Sequence, residues 1–201
     1  MNPKTAVDPD QPSGPAGRGR LFVVSAPSGA GKSTLCQAAR ERLPDLVYSV
    51  STTTRPPRPG EVEGRDYFFV SPEAFRQGIA AGQWAEWAQV HDNYYGTSAD
   101  FIDSHLSAGR DVLLDIDVQG AAQILARYPD TETIFIMAPS LAALRERLVR
   151  RGQDDAAVIE KRLRNAAAEI ARKAHYRHLV VNDDLPVAIE RFVGILKGEV
   201  P

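Results

Sequence analysis

Between Leu21 and Thr34 the chain reads LFVVSAPSGAGKST, and this stretch restricts what the rest of it can become. Four apolar residues, Leu21 to Val24, have the length and composition of a short buried strand. Small residues from Ser25 to Gly31 make a tight loop, and Lys32, Ser33 and Thr34 open a helical run that stops before Pro44. Strand, glycine loop, Lys-Ser and helix, in that order, are the context of a phosphate-binding P-loop. The glycines let backbone N–H groups turn inward around phosphate oxygens, and the helix N-terminus adds free N–H groups and the positive end of its dipole. The expected triphosphate contacts run through Ala26, Pro27, Ser28, Gly29, Ala30, Gly31, Lys32, Ser33 and Thr34. Lys32 would reach the β- and γ-phosphates, and the Ser33 hydroxyl would ligate magnesium. Ala26 stands where the general pattern has glycine, and its Cβ fits only if the backbone there keeps a negative φ. The plainer reading of the same residues is a glycine turn before a surface helix.

A length of 201 residues allows one large domain or one domain with inserted lobes, and 43% hydrophobic residues suffice for a core. A net charge of −2 and a pI near 6.1 make no electrostatic case for nucleic acid or a membrane surface as partner. Cys36 is the single cysteine, which excludes an internal disulfide; inside the first helix it reads as a small core residue. No run is long enough to span a membrane and no signal peptide is visible, so the cytoplasm is the default compartment. Residues 1–19 hold Pro3, Pro9, Pro12 and Pro15 and no aromatic residue, and are expected to be a disordered tail.

The composition changes at residues 51–66, STTTRPPRPGEVEGRD, which are polar and proline-rich. Proline shuts out helix and stiffens the backbone, so Arg55 and Arg58 sit on extended chain as an anion clamp, or else on an exposed polar loop. Asp66 to Val70 reads as a strand bearing Tyr67, and Ser71 caps a short helix. WAEWAQVH alternates at period two, with Trp84, Glu86, Ala88 and Val90 predicted on one side; Asp92-Asn93 turns and YYGT returns. Glu86, set among aromatic residues, is either a rim carboxylate or the reader of a ligand that donates hydrogen bonds to it.

Further on, Ser98 to Gly109 reads as a helix. DVLLDIDV reads as a strand with Asp115 and Asp117 on one face of its C-terminal end, where an open α/β sheet binds ligands. Helix capping or plain solvation is the alternative for this pair. Val118–Arg127 is predicted helical, TIFIM a central strand, and residues 141–152 and 156 onward a helical hairpin rich in arginine. Most of those arginines suit solvated faces with pairs such as Glu146–Arg150 or Glu160–Arg164, while Arg147 and Arg151 share one face. HLVV, Asn182-Asp183-Asp184 and a last helix close the chain.

TTRPPRPGEVEGRDYFF, then EWAQ and NYYGT, resembles the nucleoside-monophosphate lobe of the guanylate kinase family, and APSGAGKST, DIDVQG and VNDD match it too. The resemblance covers Arg20 to Lys197. It implies an α/β fold: a P-loop kinase core with a parallel sheet flanked by helices (20–50, 98–139 and 174–201), an inserted mixed α/β GMP-binding lobe (51–97) and a helical lid (140–173). It implies phosphoryl transfer from ATP, with magnesium, to GMP or dGMP in purine nucleotide metabolism. Arg55, Arg58, Tyr67 and Tyr95 would hold the acceptor phosphate, Glu86 would accept from guanine N1–H and the 2-amino group, and Thr97 would donate to O6. Asp117 would contact the amino group, Asp115 would arrange magnesium's waters or the acceptor phosphate, and Ser51 would lie near the base. Lys32, Arg58, Arg147, Arg151 and Arg162 would stabilise the transferring group, and Asn182 would lie by the adenine. A kinase for another phosphorylated small molecule would keep Lys32 and the arginines without needing Glu86, Thr97 and Asp117. A non-catalytic interaction domain would be expected to have lost the lysine or the arginines. A homo-oligomer is left open.

Overall fold

The computed structural model describes residues 17–90, 92–152 and 154–199. Of the tail expected over residues 1–19, residues 1–16 lie outside the described residues, while Arg18 pairs with Asp103 at 3.6 Å and Gly19 N–H donates to the Leu106 carbonyl at 2.9 Å. The chain folds around a five-stranded sheet whose spatial order is β2-β7-β1-β8-β9, with every neighbouring pair parallel. Its strands are β1 (Leu21–Ser25), β2 (Val47–Tyr48), β7 (Val112–Asp115), β8 (Glu132–Met137) and β9 (His178–Val181). Parallel strands need crossovers, supplied by α1 (Lys32–Arg42), α3 (Ala99–Ser107), α4 (Val118–Arg127), α5 (Leu141–Arg151) and α6 (Ala156–Ile170) together with the inserted segment; α7 (Leu185–Lys197) follows the last strand. β1 is central and wholly buried, as its unbroken apolar run requires when both sheet faces are covered. One face packs Leu35, Cys36 and Phe192 under α1 and α7; the other packs Ile102, Leu114 and Ile124 under α3 and α4.

A second, four-stranded sheet, ordered β4-β3-β6-β5, is built from β3 (Thr52–Thr53), β4 (Phe68–Phe69), β5 (Trp84–Val90) and β6 (Asn93–Ser98), with α2 (Pro72–Ala80) beside it. Phe75 of α2 is fully buried, stacked between Trp84 and Tyr94 with centroids at 4.4 and 5.3 Å. A strand within the polar stretch 51–66 is not expected from its prolines. It forms because Thr52, Thr53 and Thr54 are β-branched and the last two satisfy their own burial: Thr53 Oγ1 donates to the Tyr94 carbonyl, and Thr54 Oγ1 accepts from Tyr94 N–H.

The simple alternation of β5 is broken by a register shift between Trp84 and Glu86, so Ala85 and Glu86 are both buried in succession. The strand before DID ends at Asp115, and Asp117 is the N-cap of α4, its Oδ1 accepting from Gln119 N–H and Gly120 N–H. The two aspartates therefore leave from different elements rather than from one strand face. The arginine hairpin also pairs differently among the described residues: Glu160 of α6 reaches across to Arg145 of α5, and Asp154 to Arg162 at 3.1 Å. No described helix is long and apolar enough to cross a membrane.

Candidate active site

The P-loop lies at the carboxyl end of β1 and passes into α1 through Gly31, whose φ of 98° is a left-handed conformation. A Cβ at Gly31 would meet the Asn182 amide nitrogen at 2.3 Å, so glycine is required there by conformation and by space. Asn182 is buried, and its Nδ2 donates to the Ala30 carbonyl at 2.8 Å. That bond ties the loop to the end of β9; the helix-capping role falls to Asp184 instead. Ala26 is half-buried against the core, where its methyl is accommodated. Leu144 and Leu148 of α5 close on Gly29, placing the arginine hairpin directly over the loop.

Lys32 is ion-paired with Asp115, and Tyr48 Oη donates to the other Asp115 oxygen at 3.2 Å. The half-buried Tyr48 phenol is pushed well above its ordinary pKa, by loss of solvent first and by Asp115 second, so it stays a donor. Ser33 lies exposed in the first turn of α1, on the wall of a large cleft of about 1010 Å³ that Asp115 also lines. Cys36 is buried beside it and packs in the core under α1, and burial raises its thiol pKa, which keeps it protonated. For magnesium the donor set fits in kind: a hydroxyl and a carboxylate oxygen, hard donors of the sort this ion takes one or two at a time. No cluster of three or more acidic, histidine or cysteine ligands occurs among the described residues, so phosphate and water oxygens would complete the shell.

A neighbouring cavity of about 380 Å³ gathers Ser51, Arg55, Arg58, Tyr67, Glu86, Tyr95, Asp115 and Asp117. Stretches far apart in sequence thus meet in one space. Thr97 stands behind this wall: its hydroxyl donates to Glu86 Oε1 at 2.7 Å and both side chains are buried. Tyr95 and Thr97 share one face of β6, which sets Glu86 about 7 Å along the strand from the Tyr95 position. The Tyr95 and Tyr67 rings meet edge to face at 6.0 Å, and the Arg55 guanidinium lies 5.4 Å from the Tyr67 centroid. Burial pushes the Glu86 carboxyl up to about 7, with the Thr97 bond opposing and Asp117 adding to the rise.

Glu61 also lines this cavity, and the sequence reading missed it. Both its oxygens accept from Arg55 Nη2, at 2.7 and 3.0 Å, and one accepts from Arg58 N–H at 2.7 Å. The Arg55 bond holds the Glu61 carboxyl below its ordinary range. The signal was present in the spacing, since a carboxylate six residues after Arg55 on a proline-stiffened loop can fold back onto it.

On the other side of the P-loop, Arg147, Arg150 and Arg151 face Gly29, Gly31, Thr34 and Asn182 around a cavity of about 300 Å³. Arg147 donates to the Asn182 carbonyl at 2.6 Å, and Arg150, expected on a solvated face paired with Glu146, lines this cavity as well. Arg162 reaches the loop independently, donating to Ser28 Oγ at 3.1 Å. Guanidiniums from both helices of the hairpin thus surround a loop built to hold phosphates.

The guanylate kinase family model matches residues 18–199. A guanylate kinase of Syntrophotalea carbinolica is 50% identical over 181 residues, covering 90% of this chain and 86% of that protein. One of Thermotoga maritima is 44% identical over 182 residues, covering 90% and 88%. The crystal structure of guanylate kinase from Anaplasma phagocytophilum superposes with a TM-score of 0.73 at 34% identity, covering 91% of this chain and 87% of that one. With phosphate loop, arginine hairpin and carboxylate-lined cavity assembled in one place, and these similarities running along nearly its whole length, the chain belongs to the guanylate kinase family.

Proposed function

We propose that this protein transfers the γ-phosphoryl group of ATP to GMP or dGMP, giving ADP and GDP or dGDP, within purine nucleotide metabolism in the cytoplasm. The observation that carries the reading is Glu86: a buried carboxylate whose one protein donor among the described residues is Thr97, facing a cavity that also holds two arginines and two tyrosines. Such a group needs partners that donate. Guanine offers N1–H and a 2-amino group side by side, whereas adenine presents an acceptor at N1 and would leave Glu86 unpaired, a mismatch worth discrimination on the order of 10⁴.

The acceptor phosphate is held by Arg55 and Arg58, with Tyr67 and Tyr95 donating through their hydroxyls. ATP lies with its phosphates in the P-loop, Lys32 on the β- and γ-oxygens, and its remainder toward Asn182. Arg58, Arg147, Arg151 and Arg162 converge on the group in transit. The transfer passes through a loose transition state, so alignment and positive charge supply most of the catalysis, and no general base is required. Ser33 would hold magnesium, with Asp115 acting through water; the bound ion would neutralise charge on the β- and γ-oxygens. The residues 140–173 act as a lid: closing it brings the arginines in and excludes water that would otherwise hydrolyse ATP.

An ADP-release assay with ATP·Mg and each of GMP, AMP, CMP and UMP tests this. Turnover with GMP alone is expected. Turnover with a different monophosphate would mean that the base reader is misassigned while the core assignment stands.

A further inference from the structure

β5 is an outer strand of the four-stranded sheet, so among the described residues one edge of its backbone lacks a strand partner. At Trp87 a side chain fills that edge. Gln123 Oε1 accepts from Trp87 N–H at 3.2 Å, and Gln123 Nε2–H donates to the Trp87 carbonyl at 2.9 Å. The amide stands in for the peptide group of a missing neighbouring strand. One turn earlier on α4, Gly120 faces the preceding residue of β5. A Cβ at Gly120 would lie 2.7 Å from Glu86 Oε2 and 3.2 Å from its Cδ. Gly120 is buried inside a helix, so space rather than backbone conformation is what it supplies. Its N–H donates to Asp117 Oδ1 at 2.8 Å. Positions 117, 120 and 123 fall along one stripe of α4, and against that stripe lie Glu86 and Trp87 in succession.

The two carboxylates assigned to the base come from different sheets. Glu86 rides on β5, and Asp117 follows β7 of the parallel sheet. Reading one base with both requires their separation to be held closely, and neither sheet alone can do that. We propose that Gln123 and Gly120 are positioning residues for guanine selection: Gln123 anchors the β5 backbone to α4, and Gly120 leaves room for the Glu86 carboxylate beside Asp117. The proposal rests on the GMP reading given above, and it assigns neither residue a contact with nucleotide.

The test uses the full-length wild type, Gln123→Ala and Gly120→Ala, each checked for folding by circular dichroism. In Gln123→Ala the KM for GMP should rise about tenfold, the scale of losing such a pair of bonds, while kcat and the KM for ATP stay within about twofold. Preference for GMP over AMP, as a ratio of kcat/KM, should fall in both variants. Amide hydrogen exchange at Trp87, measured without substrate, should quicken in Gln123→Ala while amides bonded to β6 keep their protection. Unchanged exchange at Trp87, or quickened exchange with unchanged GMP kinetics, overturns the proposal. A parallel rise in both KM values with a fall in kcat overturns it too, since that is general loosening. If Gly120→Ala does not fold, the Gln123→Ala results decide. Absence of GMP turnover in the wild type would overturn the underlying reading together with the proposal, whereas normal wild-type turnover with unaltered variants overturns the proposal alone.

Discussion

The Thr97 hydroxyl donates to Glu86 Oε1 at 2.7 Å, in a pocket where the two residues are 1% and 6% exposed. Burial with so few donors lifts the Glu86 carboxyl from 4.5 to about 7. Near neutrality the free protein therefore populates both the protonated and the ionised form of this group, and a guanine placed against it, which would only donate at this edge, would favour the ionised one.

The first prediction follows for pH. The KM for GMP should rise as pH falls below about 7, because protonated Glu86 loses an acceptor and must give up its proton to bind. The GMP phosphate itself titrates near 6, so Glu86→Gln is the control: it should bind GMP weakly throughout and keep only the phosphate's dependence. Stability should move in the opposite sense. A carboxyl raised in the fold binds more protons there than in the unfolded chain, so its contribution is complete below about 4.5 and is lost as pH rises through about 7. Thermal melts of wild type against Glu86→Gln across that window would show it, the difference amounting to roughly 3 kcal/mol at most.

Lys32 and Asp115 form an ion pair with side chains 23% and 16% exposed. Lys32→Ala should lower kcat by on the order of 10²–10³, the range for losing one preset charge donor. The fold should persist, because Asp115 keeps the Tyr48 hydroxyl and reaches solvent. A variant that failed to fold would instead make Lys32 a structural residue.

Removing the Asn182 side chain strips the Ala30 carbonyl of its donor and opens the space against Gly31. Asn182→Ala should cost roughly 1–3 kcal/mol of stability and raise the KM for ATP more than that for GMP. Chemical denaturation and steady-state kinetics on the same preparation separate the two effects.

Glu61 holds Arg55 through two bonds and Arg58 through its backbone. Glu61→Ala should leave the Arg55 fork unsupported and raise the KM for GMP, with the KM for ATP unchanged. A lower KM for GMP would show instead that Glu61 competes with the acceptor phosphate for Arg55.

Much of this was legible in the residues. The Leu21–Thr34 stretch could hardly be other than strand, loop and helix, since its apolar run, its glycines and its Lys-Ser-Thr all act within a few residues of one another. Ser71, Ser98 and Ser140 each cap the helix the sequence placed after them. What failed were readings that depend on a partner strand or a distant side chain. Thr52–Thr53 became a strand because β6 was there to receive it, and Ala85 turned inward with Glu86 because a bulge in the β5–β6 pairing carried both. Asp117 left the strand because its side chain found the free N–H groups of α4.

The sequence by itself determined the strand–loop–helix of the phosphate loop and the alternation of helices with parallel strands, because those follow from local backbone preference and from apolar spacing along the chain. Only the tertiary structure decided that Glu61 would lock onto Arg55, that Asn182 would fasten the loop at Ala30, and that Gln123 would complete the open edge of β5. Each of these joins groups whose meeting depends on how separate elements pack, and packing distance is not written in sequence spacing. Glu86 belongs to both accounts: its neighbours in sequence mark it as a costly carboxylate to bury, and the helix that crosses it, with no side chain at Gly120, is what makes room for it to be buried and useful.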